Sequence, residues 1–363
     1  MKRALKLAER GKGYAAPNPL VGCVIYSREG VLIGEGYHER YGQAHAEINA
    51  LNQIKDASDL LDATAYVTLE PCSHHGKTPP CARELGKYPL KRVVVAMEDP
   101  NPKVNGKGLA YLSSQGITVE TGLLEEEARK LNEVFLFNMR FGKPFVILKV
   151  AQTIDGYIAA PDGDSRWITC QKSRKKVHQW RSEYDAVMVG RNTAILDNPR
   201  LTVRHVSGRQ PKRIVIDGPE TLPDELHLFS DIHEDKTIRV TYNPGPPAEV
   251  SDPALNILQP DYFHGETVRV SEIDGHANLE QAINRIGELG ISSILVEAGN
   301  NLASALVREN LVDKLHLFIA PKMLGGGTRS FLGLGIERMS EIIDFRSGEW
   351  KKIGEDMLFT GYF

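Results

Sequence analysis

A chain of 363 residues, 41% of them apolar, is long enough for two domains with separate cores. Its 44 Lys+Arg against 47 Asp+Glu leave no global positive field to hold a polyanion, which disfavours tRNA or DNA as a partner. No apolar run approaches the ~20 residues of a membrane span, the basic opening has no apolar stretch behind it, and four cysteines do not make a disulfide framework, so the expectation is a cytoplasmic protein with no membrane partner.

In chain order, an amphipathic helix is expected over 3–10, then two apolar strands, 21–26 and 31–37, joined by Ser27-Arg28-Glu29-Gly30 as a hairpin. A helix over 44–54, a strand over 65–68, a helix over 80–87, a strand over 92–97, a helix over 108–114 and a strand over 117–121 follow. That alternation predicts an α/β sandwich, one sheet between helices. The charged stretch 124–140 reads as one connecting helix, ended by Phe141-Gly142-Lys143-Pro144, so the expected domains are 1–142 and 143–363. The second would hold strands at 145–151, 186–189, 213–216, 237–240, 293–296, 314–320 and 356–363, with a loop at Asn243-Pro244-Gly245-Pro246-Pro247.

Two short segments carry the chemistry. His45-Ala46-Glu47 and Pro71-Cys72 with Cys81 offer one imidazole and two thiols as zinc ligands, leaving a fourth position for a water that loses its proton near neutral pH. Glu47 is the candidate proton shuttle. H-x-E with P-C-x-x-C is the signature of zinc nucleobase deaminases, met here with eight residues between the cysteines where two are usual. Cys72, after a strand, is expected at a helix start, with Pro71 in the first turn. One tension stands: residues i and i+2 of a helix diverge by about 200°, so Glu47 reaches the metal side only if the site spans the helix start. The plainer alternatives are a structural zinc site completed by His74 or His75, and a buried thiol pair. Cys23, in an apolar strand, reads as a core residue, and Cys170 as structural.

Taken with Pro17-Asn18-Pro19-Leu20-Val21-Gly22, Gly34-Glu35-Gly36-Tyr37-His38, the glycine-flanked insert 73–80 and Asp99-Pro100-Asn101-Pro102, these segments resemble the bifunctional riboflavin-biosynthesis deaminase/reductase family over essentially the whole chain. Leu20 departs from the asparagine expected there, while the long cysteine spacing becomes a point of agreement. The resemblance implies an N-terminal cytidine-deaminase-like α/β/α sandwich and a C-terminal dihydrofolate-reductase-like α/β domain. It also implies a phosphorylated pyrimidine substrate, with one zinc ion and NADPH as cofactors. The first step would be hydrolytic deamination of 2,5-diamino-6-(5-phosphoribosylamino)pyrimidin-4(3H)-one, and the second NADPH-dependent reduction of ribosyl to ribityl.

For the deaminase, the resemblance points to Asn18, His38, Lys77 and Asn101 as substrate contacts, Lys77 toward the phosphate. For the reductase it points to Ser165, Arg181, Leu201, Arg204 and Glu297 as substrate contacts, the two arginines suiting a phosphate by their forked donors. Ala151, Trp167, Thr193, Asp197 and the run Gly299, Asn300, Asn301, Leu302, Ala303, Ser304, Ala305 would hold NADPH, and Asp197 is also the candidate acid. No G-x-G-x-x-G follows a strand, but Gly299 stands where a strand enters a helix whose free N–H groups could hold a pyrophosphate. Two readings compete with this one: a deaminase of tRNA or free nucleosides with an accessory module, and a zinc-stabilised scaffold without activity. A homo-oligomer is compatible with every one of them.

Overall fold

The computed structural model describes residues 1–73, 79–101, 104–242 and 263–363, and the chain divides into two compact units, Met1–Gly142 and Lys143–Phe363. The loop expected at 243–247 lies outside the described residues. Among those described, no helix is long and apolar enough to cross a membrane.

The first unit runs α1 (Lys2–Ala8), β1 (Gly22–Tyr26), β2 (Leu32–Tyr37), α2 (Ala46–Leu51), β3 (Thr64–Val67), α3 (Cys81–Leu85), β4 (Arg92–Val95), α4 (Lys107–Ser114), β5 (Thr118–Thr121), α5 (Glu125–Leu131) and α6 (Glu133–Phe141). Its sheet has the order β2-β1-β3-β4-β5, antiparallel through β1 and parallel from β3 to β5. Alternation along β1 covers both faces. Cys23 and Ile25 pack with Ala46 and Ala50 of α2, Leu85 of α3 and Leu112 of α4, while Val24 packs on Ala4 and Leu7 of α1. Helix α2 lies so close to β2 that a Cβ on Gly36 would sit 2.5 Å from Ala46 O, which only glycine avoids.

Two local expectations need correction. The connecting helix is two helices, because the backbone leaves helical values at Asn132 (φ −100°, ψ 21°). There the buried Asn132 amide accepts from Leu20 N (2.7 Å) and donates to Leu20 O (3.0 Å). Pro71 and Cys72 lie outside any helix, and it is Cys81 that opens α3.

The second unit runs β6 (Phe145–Thr153), β7 (Tyr157–Ala159), α7 (Gln171–Glu183), β8 (Ala186–Gly190), α8 (Arg191–Asp197), β9 (Lys212–Gly218), α9 (His227–Ser230), β10 (Thr237–Thr241), β11 (Glu266–Arg269), β12 (Glu272–Ile273), β13 (His276–Ala277), α10 (Leu279–Glu288), β14 (Ser293–Val296), α11 (Asn300–Arg308), β15 (Lys314–Ala320), β16 (Thr328–Arg329), β17 (Ser347–Ile353) and β18 (Asp356–Tyr362). Among the described residues its main sheet has nine strands, ordered β11-β10-β9-β8-β14-β6-β15-β18-β17, parallel from β11 to β15 and antiparallel at β18 and β17. One face packs Val146, Leu148, Met188, Ile294 and Val296 against Ile283 and Ile286 of α10 and Leu306 of α11. On the other, Trp180 of α7 stacks on His316 at 4.1 Å between ring centres and leans on Phe318. Alternation along β15 therefore supplies both faces.

Candidate functional site

Three chain segments bring the metal-type ligands together. His45 is the N-cap of α2, Cys72 lies in the turn after β3, and Cys81 is the first residue of α3. His45 Nδ1 is 3.6 Å from Cys72 Sγ and 3.2 Å from Cys81 Sγ, and the three ligand atoms lie within 4.8 Å of one another. Tetrahedral zinc with Zn–S near 2.3 Å and Zn–N near 2.0 Å places its ligand atoms ~3.5 Å apart, so both the spacing and the N/S donor set fit that ion. The backbone N–H of Cys81, at the start of α3, donates to Cys72 Sγ (3.3 Å). Hydrogen bonding from Cys81, and then from His45, brings the Cys72 thiol down to about 4 despite its burial. The same hydrogen bond to Cys72, with burial, drives Cys81 upward.

Glu47 stands in the first turn of α2, 3% exposed, and its Oε2 has no hydrogen-bond partner. Burial, and next the Cys72 thiolate, push its carboxyl up to about 7. The tension over His45 and Glu47 dissolves because His45 is extended (φ −74°, ψ 167°), so the angular rule for two helical residues does not apply to this pair.

Both residues line a cavity of about 290 Å³ with Asn18, His38, Tyr41, Leu69, Cys72, Asp99, Asn101 and Phe135. His38 Nδ1 is 3.2 Å from Ala44 O, and a carbonyl only accepts, so Nδ1 carries the proton and Nε2 accepts from Asn18 Nδ2 at 3.1 Å. Burial lowers the His38 pKa and keeps the ring neutral. Three of the four expected substrate contacts thus surround one cavity, and the fourth, Lys77, lies outside the described residues, as do His74 and His75.

Sequence reasoning missed Glu70. Its buried carboxylate accepts from the backbone N–H groups of Asp99 (3.2 Å), Gly106 (2.9 Å) and Gly108 (2.9 Å), tying the Asp99–Asn101 turn to the residues just before Cys72. A Cβ on Gly108 would lie 2.1 Å from Pro71 O. The signal available was a lone carboxylate between the apolar Leu69 and Pro71.

In the second unit a charged cluster is built into the fold. Arg181 of α7 donates Nε to Glu297 Oε1 (2.6 Å), Nη2 to Glu297 Oε2 (3.1 Å) and Nη1 to Thr202 O (3.0 Å). Its fork is thus engaged by a carboxylate and a backbone carbonyl. Lys149 Nζ is 3.5 Å from the same carboxylate. Although burial alone would raise it, Arg181 and then Lys149 hold Glu297 down at about 2. Lys149 was also missed, although a lysine inside the apolar run 145–151 was visible. Arg204 is exposed nearby, its Nη1 on Thr202 Oγ1 (3.3 Å), and the neighbouring Leu201 is buried at φ +51°.

Helices α8 and α11 follow the adjacent parallel strands β8 and β14, each with a glycine N-cap, Gly190 and Gly299, and no side chain capping it. Thr193 of α8 and Gly299 are neighbours, since a Cβ on Gly299 would lie 3.5 Å from Thr193 Oγ1. Such a pair of open helix starts at the carboxyl ends of strands suits a pyrophosphate. In the run that follows Gly299, Ala303 N bonds Gly299 O (3.1 Å), and Asn300, Asn301 and Leu302 carry the N–H groups that lie outside the helical pattern. Ala303 and Ser304 are buried, Ser304 Oγ accepts from Leu332 N (2.9 Å), and Ala305 lies mid-helix. Ala151 stands toward the carboxyl end of β6, paired with Phe318 of β15. Ser165 is half-buried, Trp167 is exposed under the Arg174 guanidinium at 4.6 Å, and Asp197 ends α8 in solvent.

Residues 1–97 match the cytidine and deoxycytidylate deaminase zinc-binding region, and residues 144–359 match the RibD C-terminal domain. The riboflavin biosynthesis protein RibD of Aquifex aeolicus is 41% identical over 99% of this chain and 96% of its own length, and that of Actinobacillus pleuropneumoniae 39% identical over 99% and 93%. A Thermotoga maritima structure, titled a diaminohydroxyphosphoribosylaminopyrimidine deaminase/5-amino-6-(5-phosphoribosylamino)uracil reductase, superposes with a TM-score of 0.85 at 35% identity, covering 100% of this chain and 97% of that one. The chain belongs to the RibD family of riboflavin biosynthesis, zinc-binding deaminases joined to a reductase in one polypeptide.

Proposed function

We propose that the first unit deaminates 2,5-diamino-6-(5-phosphoribosylamino)pyrimidin-4(3H)-one and that the second uses NADPH to reduce the ribosyl group of the product to ribityl. The observation that carries this reading is the partnerless, buried Oε2 of Glu47, a residue that lines one cavity with His45 and Cys72, two members of the His45, Cys72 and Cys81 cluster. Zinc held by those three residues supplies Lewis acidity and brings a water's pKa near 7. As the water's oxygen adds to the amino-bearing ring carbon, Glu47 takes its first proton and passes it to the adjacent ring nitrogen. It then carries the second from the new hydroxyl to the amino group, whose C–N bond breaks to release ammonia and leave the carbonyl. Asn18 and neutral His38 orient the substrate as one hydrogen-bonded pair, Asn101 contacts it from the same cavity's lining, and Lys77 meets the phosphate.

In the second unit the nicotinamide supplies the hydride and the protein supplies position. The open N–H groups behind Gly299, together with Thr193, Ala151, Trp167 and Asp197, hold the cofactor. Ser165, Arg181, Leu201, Arg204 and Glu297 contact the phosphorylated substrate, with Arg181 and Glu297 held to each other as an ion pair. Free thiols at Cys72 and Cys81, needed as ligands, favour the reducing cytoplasm. The test is one cuvette of zinc-loaded protein given the diaminopyrimidine, with ammonia and then NADPH absorbance followed. Ammonia release succeeded by NADPH loss is expected. Ammonia without NADPH loss overturns the reductase half, and no ammonia overturns the deaminase half.

A further inference from the structure

The stretch Leu201–Arg204 joins no strand or helix, yet Leu201, Thr202 and Val203 are buried at 2%, 8% and 7% exposure. Buried backbone polar groups need partners, and here side chains provide them. Arg181 donates to Thr202 O, and Arg204 N donates to His178 Nδ1 (3.2 Å). Between those two bonds, the Gln210 amide serves both groups of one residue: its Oε1 accepts from Val203 N (2.7 Å) and its Nε2 donates to Val203 O (3.1 Å). A primary amide carries a donor and an acceptor side by side, so it meets an N–H and a C=O together as a neighbouring strand would.

The amide also reaches out from a fixed base. Arg209, the residue before it, donates to Asp185 Oδ1 (2.7 Å), and Asp185 Oδ2 accepts from Ser292 N (2.9 Å). Pro211, the residue after it, restricts the backbone where it enters β9. We infer that Gln210 is a positioning residue of the reductase, which sets Arg204 for the phosphate of its substrate by holding Val203 on both sides. The inference rests on the reading of Arg204 as a substrate contact.

The test is a double-mutant cycle on the zinc-loaded full chain, with Gln210→Met, Arg204→Ala and the pair assayed on the deaminated pyrimidine. Gln210→Met is expected to raise KM for the pyrimidine roughly tenfold or more, with kcat, KM for NADPH and ammonia release unchanged. In the Arg204→Ala background the same change is expected to add nothing. An unchanged KM in Gln210→Met alongside a raised KM in Arg204→Ala overturns the inference alone. Additive effects of the two changes overturn it as well, since Gln210 would then act independently of Arg204. An unchanged KM in Arg204→Ala overturns the underlying substrate reading and the inference with it. If Gln210→Met loses NADPH binding, Gln210→Glu, which keeps the acceptor for Val203 N, enters the same cycle with the same criteria.

Discussion

At the scale of single residues, the two units use opposite electrostatics. Glu47 is a carboxyl with one buried oxygen unpartnered, which burial pushes up to about 7, whereas Glu297 is a carboxylate that two cations hold ionised. Replacing Glu47 by Gln keeps the shape and removes the proton shuttle. We expect ammonia release to fall by about 10²–10⁴-fold, with zinc content per chain unchanged, and near-normal turnover would remove Glu47 from the mechanism. Arg181→Met is different in kind, because it removes the bidentate partner of Glu297 in the interior and leaves Lys149, 3.5 Å away, as its ion-pair partner. Losing one partner of a buried pair costs about 3–5 kcal/mol, so denaturant unfolding should show the second unit destabilised and the reductase lost while ammonia release persists. The zinc ligands and Glu47 were legible because their residue types and spacing are themselves the chemistry. Glu70 was not, since its partners are backbone groups of residues 99–108 and no side-chain pattern announces them.

At the scale of elements, α5 and α6 part where Asn132 turns from helix to tether. Asn132→Ala removes both bonds to the half-buried Leu20, two residues beyond Asn18, at about 0.5–1.5 kcal/mol for each bond lost. The expected result is a lower melting temperature of the first unit and a raised KM for deamination; an unchanged KM would show that Leu20 holds its place without the amide. Residues 124–140 read as one helix because helical propensity and charge spacing continue across Asn132, and the force that breaks them comes from Leu20, 112 positions away. Apolar strands such as 145–151 and 293–296 were legible since both of their faces are covered, whereas edge strand β17 is almost wholly exposed and carries no apolar pattern to read.

Strand β15 opens beside a carboxyl that makes pH dependence an element-scale property. Asp313 accepts from Val146 N (2.8 Å), and burial raises its pKa to about 6. The unfolded value is near 3.9, so between the two values the native state holds more protons than the unfolded state, and stability falls as pH rises through that window. Asp313→Asn keeps an acceptor for Val146 and cannot ionise. It should stabilise the second unit by of order 1–2 kcal/mol at pH 8 and by almost nothing near pH 4, which paired melting curves would read directly. Equal melting shifts at both values would mean that the charge is not what burial penalises.

At the scale of the whole molecule, one polypeptide carries two separately cored units whose chemistries need different groups. The zinc ligands sit at the starts of α2 and α3 and after β3, on elements already joined by the buried cluster of Cys23, Ala46, Ala50, Val67 and Leu85. A metal whose ligands lie on such a core adds stability without being the reason the unit folds, unlike a zinc finger, whose small core leaves it unfolded without the ion. The second unit has its own core on β6, β8 and β14, while His45, Cys72 and Cys81 all belong to the first. Stripping zinc with a chelator should therefore abolish ammonia release and shift only the first unit's calorimetric transition. NADPH oxidation should continue when the deaminated pyrimidine is supplied directly. Readdition of zinc should restore ammonia release, because Cys72 and Cys81 remain placed by β3 and α3. Simultaneous loss of both activities on chelation would contradict the independence of the two cores, and persistence of ammonia release would remove the His45, Cys72 and Cys81 cluster from the chemistry.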